Sequence, residues 1–278
     1  MSLHPFHFIE LPPERSQQKP RRTGLTMMID WGLPLARQED LLGLSGSYID
    51  FAKIAVGTSR LYSAAYLRRK LDLYKKNAVR PFLGGQFQEF VFATQGLKAI
   101  EPFLREAKRV GFELVEVSDN VVPLEPHQRR EQIRLAINCG LSVLGEVGSK
   151  SKQTDAQRLI AQAEDCFRAG AEMVLVEGAE LVDKGRPRSA LIRALKKGLD
   201  FSRVLIELPG HWVSGTSLCD VHDLKKFLVH EFGPDVNLAN IMPDDVIETE
   251  SLRVGLGVVG PRLTPTKRPR KRRAGGQK

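Results

Sequence analysis

Short apolar runs alternate along the chain with longer segments in which apolar residues recur at helical spacing. This alternation predicts strands followed by helices, because a buried parallel strand is apolar throughout whereas a surface helix is apolar on one face. The predicted strands are residues 25–30, 49–56, 80–85, 114–119, 142–148, 173–179, 204–209 and 236–241. A helical segment after each strand predicts an α/β fold.

The spacing of these strands narrows the fold further. Successive strands begin 24 to 34 residues apart, close to the length of a β-α-β unit. Eight such units without a break in composition predict a single (β/α)8 TIM barrel over residues 24–260. An open doubly wound sheet is the alternative, because it is built from the same units. Residues 1–23 are predicted to form an irregular N-terminal arm, since their Pro and Arg/Lys pattern favours neither helix nor strand.

The net charge of +9 is concentrated at the end of the chain. Residues 261–278 contain eight Lys and Arg and no Asp or Glu, which leaves 34 cationic and 33 acidic residues in the remaining 260. The body of the protein is therefore nearly neutral. We expect the basic tail to be disordered, because it has almost nothing apolar to bury. Its charge indicates either a solvated segment or a segment that makes weak, nonspecific contact with nucleic acid.

Composition excludes several classes of protein. The chain is 42% apolar and 27% charged, which is typical of a soluble globular protein. No membrane partner is expected, because no run approaches roughly 18 apolar residues, and the start lacks the pattern of a secretory signal. The three cysteines are too far apart for a zinc site or a disulfide framework. We expect a cytoplasmic protein, and packing through the outer helices is compatible with a homo-oligomer.

Acidic residues occur near the ends of the predicted strands. They are Asp30, Glu116, Asp119, Glu146, Glu177 and Glu207, and the glutamates among them recur every 30 or 31 residues. Barrel enzymes place their active sites at these strand ends, and buried carboxylates require cations. The six residues are therefore candidate ligands of a hard metal such as Mg²⁺, with Lys53 and Lys150 as further counter-charges. A structural ring of ion pairs is the alternative interpretation.

Other polar and glycine positions follow the same strand ends and are candidates for substrate binding. They are Gly57, Thr58, Gly84, Gly85, Ser118, His211, Asn237 and Asn240. Two consecutive glycines allow a ligand to approach the backbone, although they also suit a tight turn. The sequence contains none of the motifs of P-loop, dinucleotide-binding, zinc-protease or serine-hydrolase sites.

Several segments resemble the phosphosulfolactate synthase family. In chain order they are GLTxxxD (24–30), GLP (32–34), YIDFAK (48–53), GTS (57–59), GG (84–85) with Glu89, GFELVEVSD (111–119), EVGSK (146–150), AGAEMVLVEG (169–178) and VNLANI (236–241). The resemblance spans about residues 24–256. Plant heat-stress proteins related to this synthase share the same framework.

The resemblance implies a TIM-barrel carbon–sulfur lyase that uses Mg²⁺. Its reaction adds sulfite to phosphoenolpyruvate and gives 2-phospho-3-sulfolactate, an early step of coenzyme M biosynthesis. The expected partners are therefore small anionic substrates. Lys150 matches the family position of the general acid, Lys53 would neutralise substrate charge, and the carboxylates would supply metal ligands.

Four positions differ from the usual family pattern. Trp31, Ser149, Ala179 and His211 stand where family members typically carry cationic residues. Because phosphoenolpyruvate and sulfite are anions, the loss of cations weakens their capture. Two functions remain open: the family reaction, and a non-catalytic or differently specific barrel with a stress-related or binding role.

Overall fold

Eight parallel strands close into a barrel in the computed structural model, which describes residues 5–148, 154–183 and 186–257. The strands are β1 (Thr26–Asp30), β2 (Phe51–Ile54), β3 (Arg80–Leu83), β4 (Leu114–Val117), β5 (Ser142–Val147), β6 (Met173–Val176), β7 (Val204–Glu207) and β8 (Leu238–Ile241). Each strand pairs with its neighbours in the chain, and β8 pairs with β1 to close the sheet. The predicted TIM barrel is confirmed, and the open-sheet alternative is wrong.

Helices surround the barrel and return the chain from one strand to the next. They are α1 (Leu35–Ser45), α2 (Ala64–Lys76), α3 (Gly85–Gln95), α4 (Ile100–Val110), α5 (Pro126–Asn138), α6 (Ala156–Ala169), α7 (Ser189–Gly198), α8 (Leu218–Phe232) and α9 (Val246–Arg253). Two helices, α3 and α4, follow β3, and a short hairpin of Val182–Asp183 and Arg186–Pro187 follows β6. No helix in the described part of the chain is long and apolar enough to cross a membrane.

The ends of α6 show how local sequence determines the helix boundaries. Asp155 precedes the helix and its side chain accepts a hydrogen bond from the Arg158 N–H, which satisfies one of the free donors of the first turn. Gly170 follows the helix with a φ of +108°, a left-handed conformation that glycine adopts without steric cost.

The barrel has an apolar interior that is separate from the layer between strands and helices. It consists of Leu25, Met27, Phe51, Phe82, Leu114, Leu144, Met173, Leu175, Leu205 and Ala239. Because side chains alternate between the two faces of a strand, residues two positions further along also point into the lumen. On β2, β4, β5 and β7 these positions hold Lys53, Glu116, Glu146 and Glu207. The alternation therefore places a charged layer above an apolar floor.

Six of the eight strands end earlier than the apolar pattern predicts, whereas β1 and β8 end at the predicted residues. β3 ends at Leu83, β4 at Val117 and β6 at Val176, whereas the predicted strands continue to residues 85, 119 and 179. Beyond these points the backbone leaves the ladder of the sheet: Gly85 begins α3, and Gly178 begins a turn of 3-10 helix. Several candidate residues consequently lie in loops, where their orientation is independent of strand alternation.

The described part of the N-terminal arm contains neither helix nor strand and is tied to the barrel by buried charges. Arg15 is 2% exposed, and its guanidinium lies 2.7 Å from Glu250 and 3.2 Å from Asp235. Lys19 donates hydrogen bonds to the carbonyl oxygens of Gly46 and Asn77. The predicted tail, residues 261–278, lies outside the described residues.

Candidate active site

Three buried glutamates and a lysine meet at the carboxyl ends of the strands. Glu116, Glu146 and Glu207 each contribute one carboxylate oxygen to a group in which these oxygens all lie within 4.8 Å of one another. Lys53 Nζ lies 2.8 Å from Glu116 Oε2 and 3.0 Å from Glu207 Oε1. The structure thus brings together three of the six candidate metal ligands and one of the two candidate catalytic lysines.

A glycine on the intervening strand end leaves space beside the lysine. Lys53 lies on β2 and Glu116 on β4, so the lysine side chain passes the end of β3, where Gly84 stands. A Cβ atom added to Gly84 would lie 3.0 Å from the Ile54 carbonyl oxygen and 3.5 Å from Lys53 Cε. A side chain at Gly84 would therefore crowd the backbone of β2, whereas its contact with the lysine would be an ordinary one.

The electrostatic state of the group follows from its burial and its excess of acid. Burial acts to lower the pKa of Lys53, but the charges of Glu116, Glu207 and Glu146 outweigh it and raise that pKa well above its ordinary value. Burial and then the neighbouring charge of Glu116 raise the pKa of Glu146 well above its ordinary value. The lysine is thus a permanent cation, while the crowded carboxylates lack sufficient positive charge.

A divalent cation fits this arrangement. When all are ionised, three carboxylates and one ammonium carry two excess negative charges, which one Mg²⁺ ion would balance, and carboxylate oxygens are the ligands that Mg²⁺ prefers. Glu116, Glu146 and Glu207 would hold the ion. Asn240 lines the same cavity, and its buried Oδ1 has no hydrogen-bond partner within the described residues. This oxygen is a further polar group available to a ligand.

The group opens into a cavity of about 300 Å³. One side of the cavity is polar and carries the glutamates and Lys53, and the other is formed by apolar side chains that include Ile29, Val56 and Val121. The first residues of α3, Gly85 and Gln86, also line it. A Cβ atom on Gly85 would lie 2.4 Å from Ser118 Oγ and 3.2 Å from Glu116 Cγ, so only glycine allows the helix to begin this close to the carboxylates.

Two candidate metal ligands lie elsewhere. Asp30 is fully buried but points toward α2, where Lys70 Nζ lies 2.6 Å and Tyr74 Oη 2.6 Å from its Oδ2. The adjacent Ile29 takes the position that faces the cavity, because neighbouring residues of a strand point to opposite faces. Asp119 forms an ion pair with Arg129 of α5 and lines a different cavity, between α5 and α6. The structure therefore does not bring Asp30 or Asp119 into the carboxylate group.

Glu177 lies beside the carboxylate group without belonging to it. It is 1% exposed, it accepts a hydrogen bond of 3.1 Å from the Ala179 N–H, and its charge acts on Glu146. Its position at the start of a 3-10 turn directs one oxygen to the backbone of its own loop. Lys150 and Ser149 lie outside the described residues.

Several candidate substrate-binding residues have structural contacts instead. Asn237 lies before β8, where its Oδ1 accepts from the Leu25 N–H at 2.9 Å and its amide donates to the Phe201 and Val204 carbonyls at 3.0 Å. It therefore joins strand starts at the opposite end of the barrel from the glutamates. Thr58 Oγ1 donates to the Ala55 carbonyl at 2.7 Å, and Val56, rather than Gly57 or Thr58, reaches the cavity.

An aromatic group stands at the mouth of the cavity. Trp31 and Trp212 both line it, with ring centroids 5.5 Å apart, and the exposed His211 ring lies 6.0 Å from Trp31 and 5.0 Å from Trp212. Gly210 permits this arrangement, since a Cβ atom there would lie 2.3 Å from the Trp212 ring. His211 therefore belongs to the rim, and the indoles form the wall.

Sequence reasoning missed Trp212, Asn120 and the role of Glu89. Asn120 donates a hydrogen bond from its side-chain amide to Glu146 Oε1. Glu89 accepts hydrogen bonds from Ser118 and from the backbone of the loop that contains Asn120. Trp212 and Asn120 directly follow the candidates His211 and Asp119, so extending each candidate segment by one residue would have included them. The family resemblance includes Glu89 with Gly84 and Gly85, but no local pattern in the helix indicates that its side chain contacts the loop after β4.

The fold and the site together define a TIM-barrel protein whose buried carboxylates and lysine meet at the carboxyl ends of the strands, where enzymes of this fold have their active sites. Residues 14–258 match the sequence profile of (2R)-phospho-3-sulfolactate synthase (ComA). The chain therefore belongs to the phosphosulfolactate synthase family, as the sequence resemblance predicted.

Individual relatives support this assignment. The chain is 32% identical over 259 residues to the phosphosulfolactate synthase of Methanothermobacter thermautotrophicus. The matched region covers 88% of this chain and 94% of that relative. It is 33% identical over 244 residues to the phosphosulfolactate synthase of Methanocaldococcus jannaschii, and this match covers 84% of this chain and 92% of that relative. Protein HEAT-STRESS-ASSOCIATED 32 of Arabidopsis thaliana is 22% identical over 267 residues, with coverage of 86% and 89%.

A solved structure shares the fold. A variant of the carboxyl transferase domain of Rhizobium etli pyruvate carboxylase with pyruvate has a TM-score of 0.51 and 14% sequence identity, over 80% of this chain and 41% of that chain. At this identity the likeness shows the barrel fold alone.

Proposed function

We propose that this protein is a carbon–sulfur lyase that catalyses the Mg²⁺-dependent addition of sulfite to phosphoenolpyruvate, giving 2-phospho-3-sulfolactate for coenzyme M-type biosynthesis. The observation that carries the proposal is the group of three buried glutamates and Lys53 beside a cavity of about 300 Å³. Family membership supports the class of reaction. We further propose a cytoplasmic location, supported by three free cysteines.

In the proposed reaction, the sulfur lone pair of sulfite forms a bond to C3 of phosphoenolpyruvate. The C2–C3 π bond breaks, its electrons move toward the substrate carboxylate, and a proton is then added at C2. Bound Mg²⁺ would supply Lewis-acid stabilisation of the negative charge that develops on that carboxylate. This resembles the enolate step of enolase-type enzymes.

The protein's own residues divide the remaining tasks. Lys53 stays protonated and compensates charge within the carboxylate group. The start of α3, with the backbone N–H groups of Gly85 and Gln86, is the proposed site of the substrate phosphate, because a helix N-terminus favours anions. The indoles of Trp31 and Trp212 limit access of water at the mouth. Lys150 is the proposed proton donor to C2, through its match to the family motif.

Nuclear magnetic resonance detection of the sulfonate product tests the reaction directly. Wild-type protein with Mg²⁺, phosphoenolpyruvate and sulfite is expected to form product. Lys53→Met should lower kcat on the order of 100-fold, as for loss of a preorganised charge in an active site. Lys150→Ala should lower it at least as much, as for loss of a general acid.

The matched control for this assay is Lys75→Met. Lys75 also forms an ion pair, with Glu113 at 2.8 Å, but it is 30% exposed and its partner lies before β4, at the opposite end of the barrel. Its replacement should leave turnover unchanged. A wild-type protein that forms no sulfonate above the background of buffer alone would contradict the proposed reaction.

The aromatic mouth favours a second candidate function. Trp31 and Trp212 present apolar surface where anionic substrates would enter, which suits a binding protein or an enzyme for a less charged ligand. Thermal unfolding with phosphoenolpyruvate separates the two. A ligand at about 100 times its dissociation constant stabilises the native state by about 2.7 kcal/mol. Stabilisation that requires Mg²⁺ supports the lyase, whereas no shift with either ligand supports the second function.

A further inference from the structure

Glu89 of α3 is a buried carboxylate that, within the described residues, accepts its side-chain hydrogen bonds from the loop after β4. Glu89 is only 3% exposed. Oε2 accepts from the Val121 and Val122 N–H groups, both at 2.7 Å, and Oε1 accepts from the Ser118 hydroxyl and from the Asn120 N–H at 3.3 Å. No ion pair of Glu89 occurs within the described residues. The energy of burying this charge is therefore offset mainly by one loop.

The loop that Glu89 holds reaches the carboxylate group. The Asn120 side-chain amide donates a hydrogen bond to Glu146 Oε1, and the next residue, Val121, lines the cavity. Three of the four bonds to Glu89 come from the backbone N–H groups of residues 120–122. Because these bonds hold the backbone on both sides of the Asn120 side chain, they also determine where its amide points.

We propose that Glu89 is a positioning residue for the cation site and acts on Glu146 through Asn120. The inference rests on the proposed metal site at Glu116, Glu146 and Glu207. The hydrogen bond from the Asn120 amide to Oε1 holds the Glu146 carboxylate in one orientation beside Glu116 and Glu207. Residues that orient metal ligands in this way typically contribute 10- to 100-fold, in round figures, to metal affinity.

The test is Glu89→Gln, with the Mg²⁺ dissociation constant measured by titration calorimetry in the absence of substrate. Glutamine keeps the shape but replaces one acceptor oxygen with an N–H donor, which then faces other donors of the loop. We expect the dissociation constant to rise about tenfold. Asn120→Ala removes the next link and should have an effect of similar size. In the double variant the effects should not multiply, because both residues act through one hydrogen bond.

Gln88→Ala supplies the matched control. Gln88 is the neighbouring residue of α3, is also 3% exposed, and donates a 2.7 Å hydrogen bond to Gln132 of α5. Its replacement removes a buried hydrogen bond without touching the loop that Glu89 holds. We expect this variant to unfold at a lower temperature and to keep the wild-type Mg²⁺ dissociation constant. A merely structural role of Glu89 would give the same result for Glu89→Gln.

The outcomes separate this inference from the proposed function. Wild-type protein that binds Mg²⁺ while Glu89→Gln binds it within twofold of wild type would overturn the inference alone. Full multiplication of the two effects in the double variant would show that Glu89 does not act through Asn120. Wild-type protein that binds no Mg²⁺ would overturn the metal site and this inference with it.

Discussion

Replacement of Glu146 by glutamine should stabilise the metal-free protein while removing its response to Mg²⁺. Glu146 lies in a group whose carboxylate oxygens are within 4.8 Å of one another, and Lys53 contacts the other two members. Two unit charges at that distance repel by ~3.5 kcal/mol at an effective dielectric constant of about 20. Part of this is offset by Lys53, so we expect Glu146→Gln to gain about 1–3 kcal/mol at pH 8.

The gain should depend on pH in a defined direction. The pKa of Glu146 is raised in the folded state, so the folded protein binds the proton more tightly than the unfolded chain, and stability falls as pH rises from the unfolded pKa toward the folded pKa. Glutamine has no proton to lose. The two proteins should therefore approach equal stability near pH 4.5, and the variant should be the more stable one at pH 8 in buffer with a chelator.

Urea unfolding followed by circular dichroism, with chelator and with Mg²⁺, measures both effects. Saturating Mg²⁺ should stabilise the wild type by about 2.7 kcal/mol at 100 times its dissociation constant, and the variant by far less. Glu172→Gln is the control, because Glu172 is 41% exposed and pairs with Arg80. Its loss should cost no more than about 1 kcal/mol and be independent of Mg²⁺. A Glu146→Gln variant less stable than wild type at pH 8 without metal would refute the electrostatic reasoning.

Two other predictions concern groups outside the site. Lys70→Met should lower the unfolding free energy, measured in urea, by about 3–5 kcal/mol, because it leaves the fully buried Asp30 without its ion pair at 2.6 Å. The control Lys75→Met breaks a more exposed ion pair and should cost no more than about 1 kcal/mol. Similar values for the two variants would contradict the structural role given to Asp30. Burial raises the pKa of the Cys166 thiol to about 11, so iodoacetamide at pH 8 should label the exposed Cys219 rapidly and Cys166 only after unfolding. Equal labelling rates in the native state would show that Cys166 is accessible.

The sequence determined the architecture and most of the charged layer. Apolar runs at regular intervals were sufficient to predict eight strands, because a barrel strand must be apolar on both faces over most of its length. A glutamate at the end of such an apolar run is expected to point into the lumen, because the other face of the strand packs against the helices. For this reason Glu116, Glu146 and Glu207 could be selected before any contact was known.

Only the tertiary structure decided which of the other polar residues belong to the site. Asp30 also ends a strand, but it lies one position out of phase with the lumen, and a shift of one residue reverses the face. Asn237 and Asn240 are three residues apart in one short motif, yet the first joins strand starts and the second lines the cavity. A periodic pattern locates a strand within one or two residues, and that uncertainty is as large as the difference between the two faces.

Contacts between distant segments could not be predicted from the sequence, for a different reason. Lys53 and Glu207 are 154 positions apart and meet only because the barrel closes. Glu89 contacts, from within a helix, a loop about 30 residues away, and Trp31, which follows β1, meets Trp212, which follows β7, because the barrel closes. Local pattern describes how each residue relates to its own strand or helix. Closure of the sheet determines which residues share the space above its apolar floor.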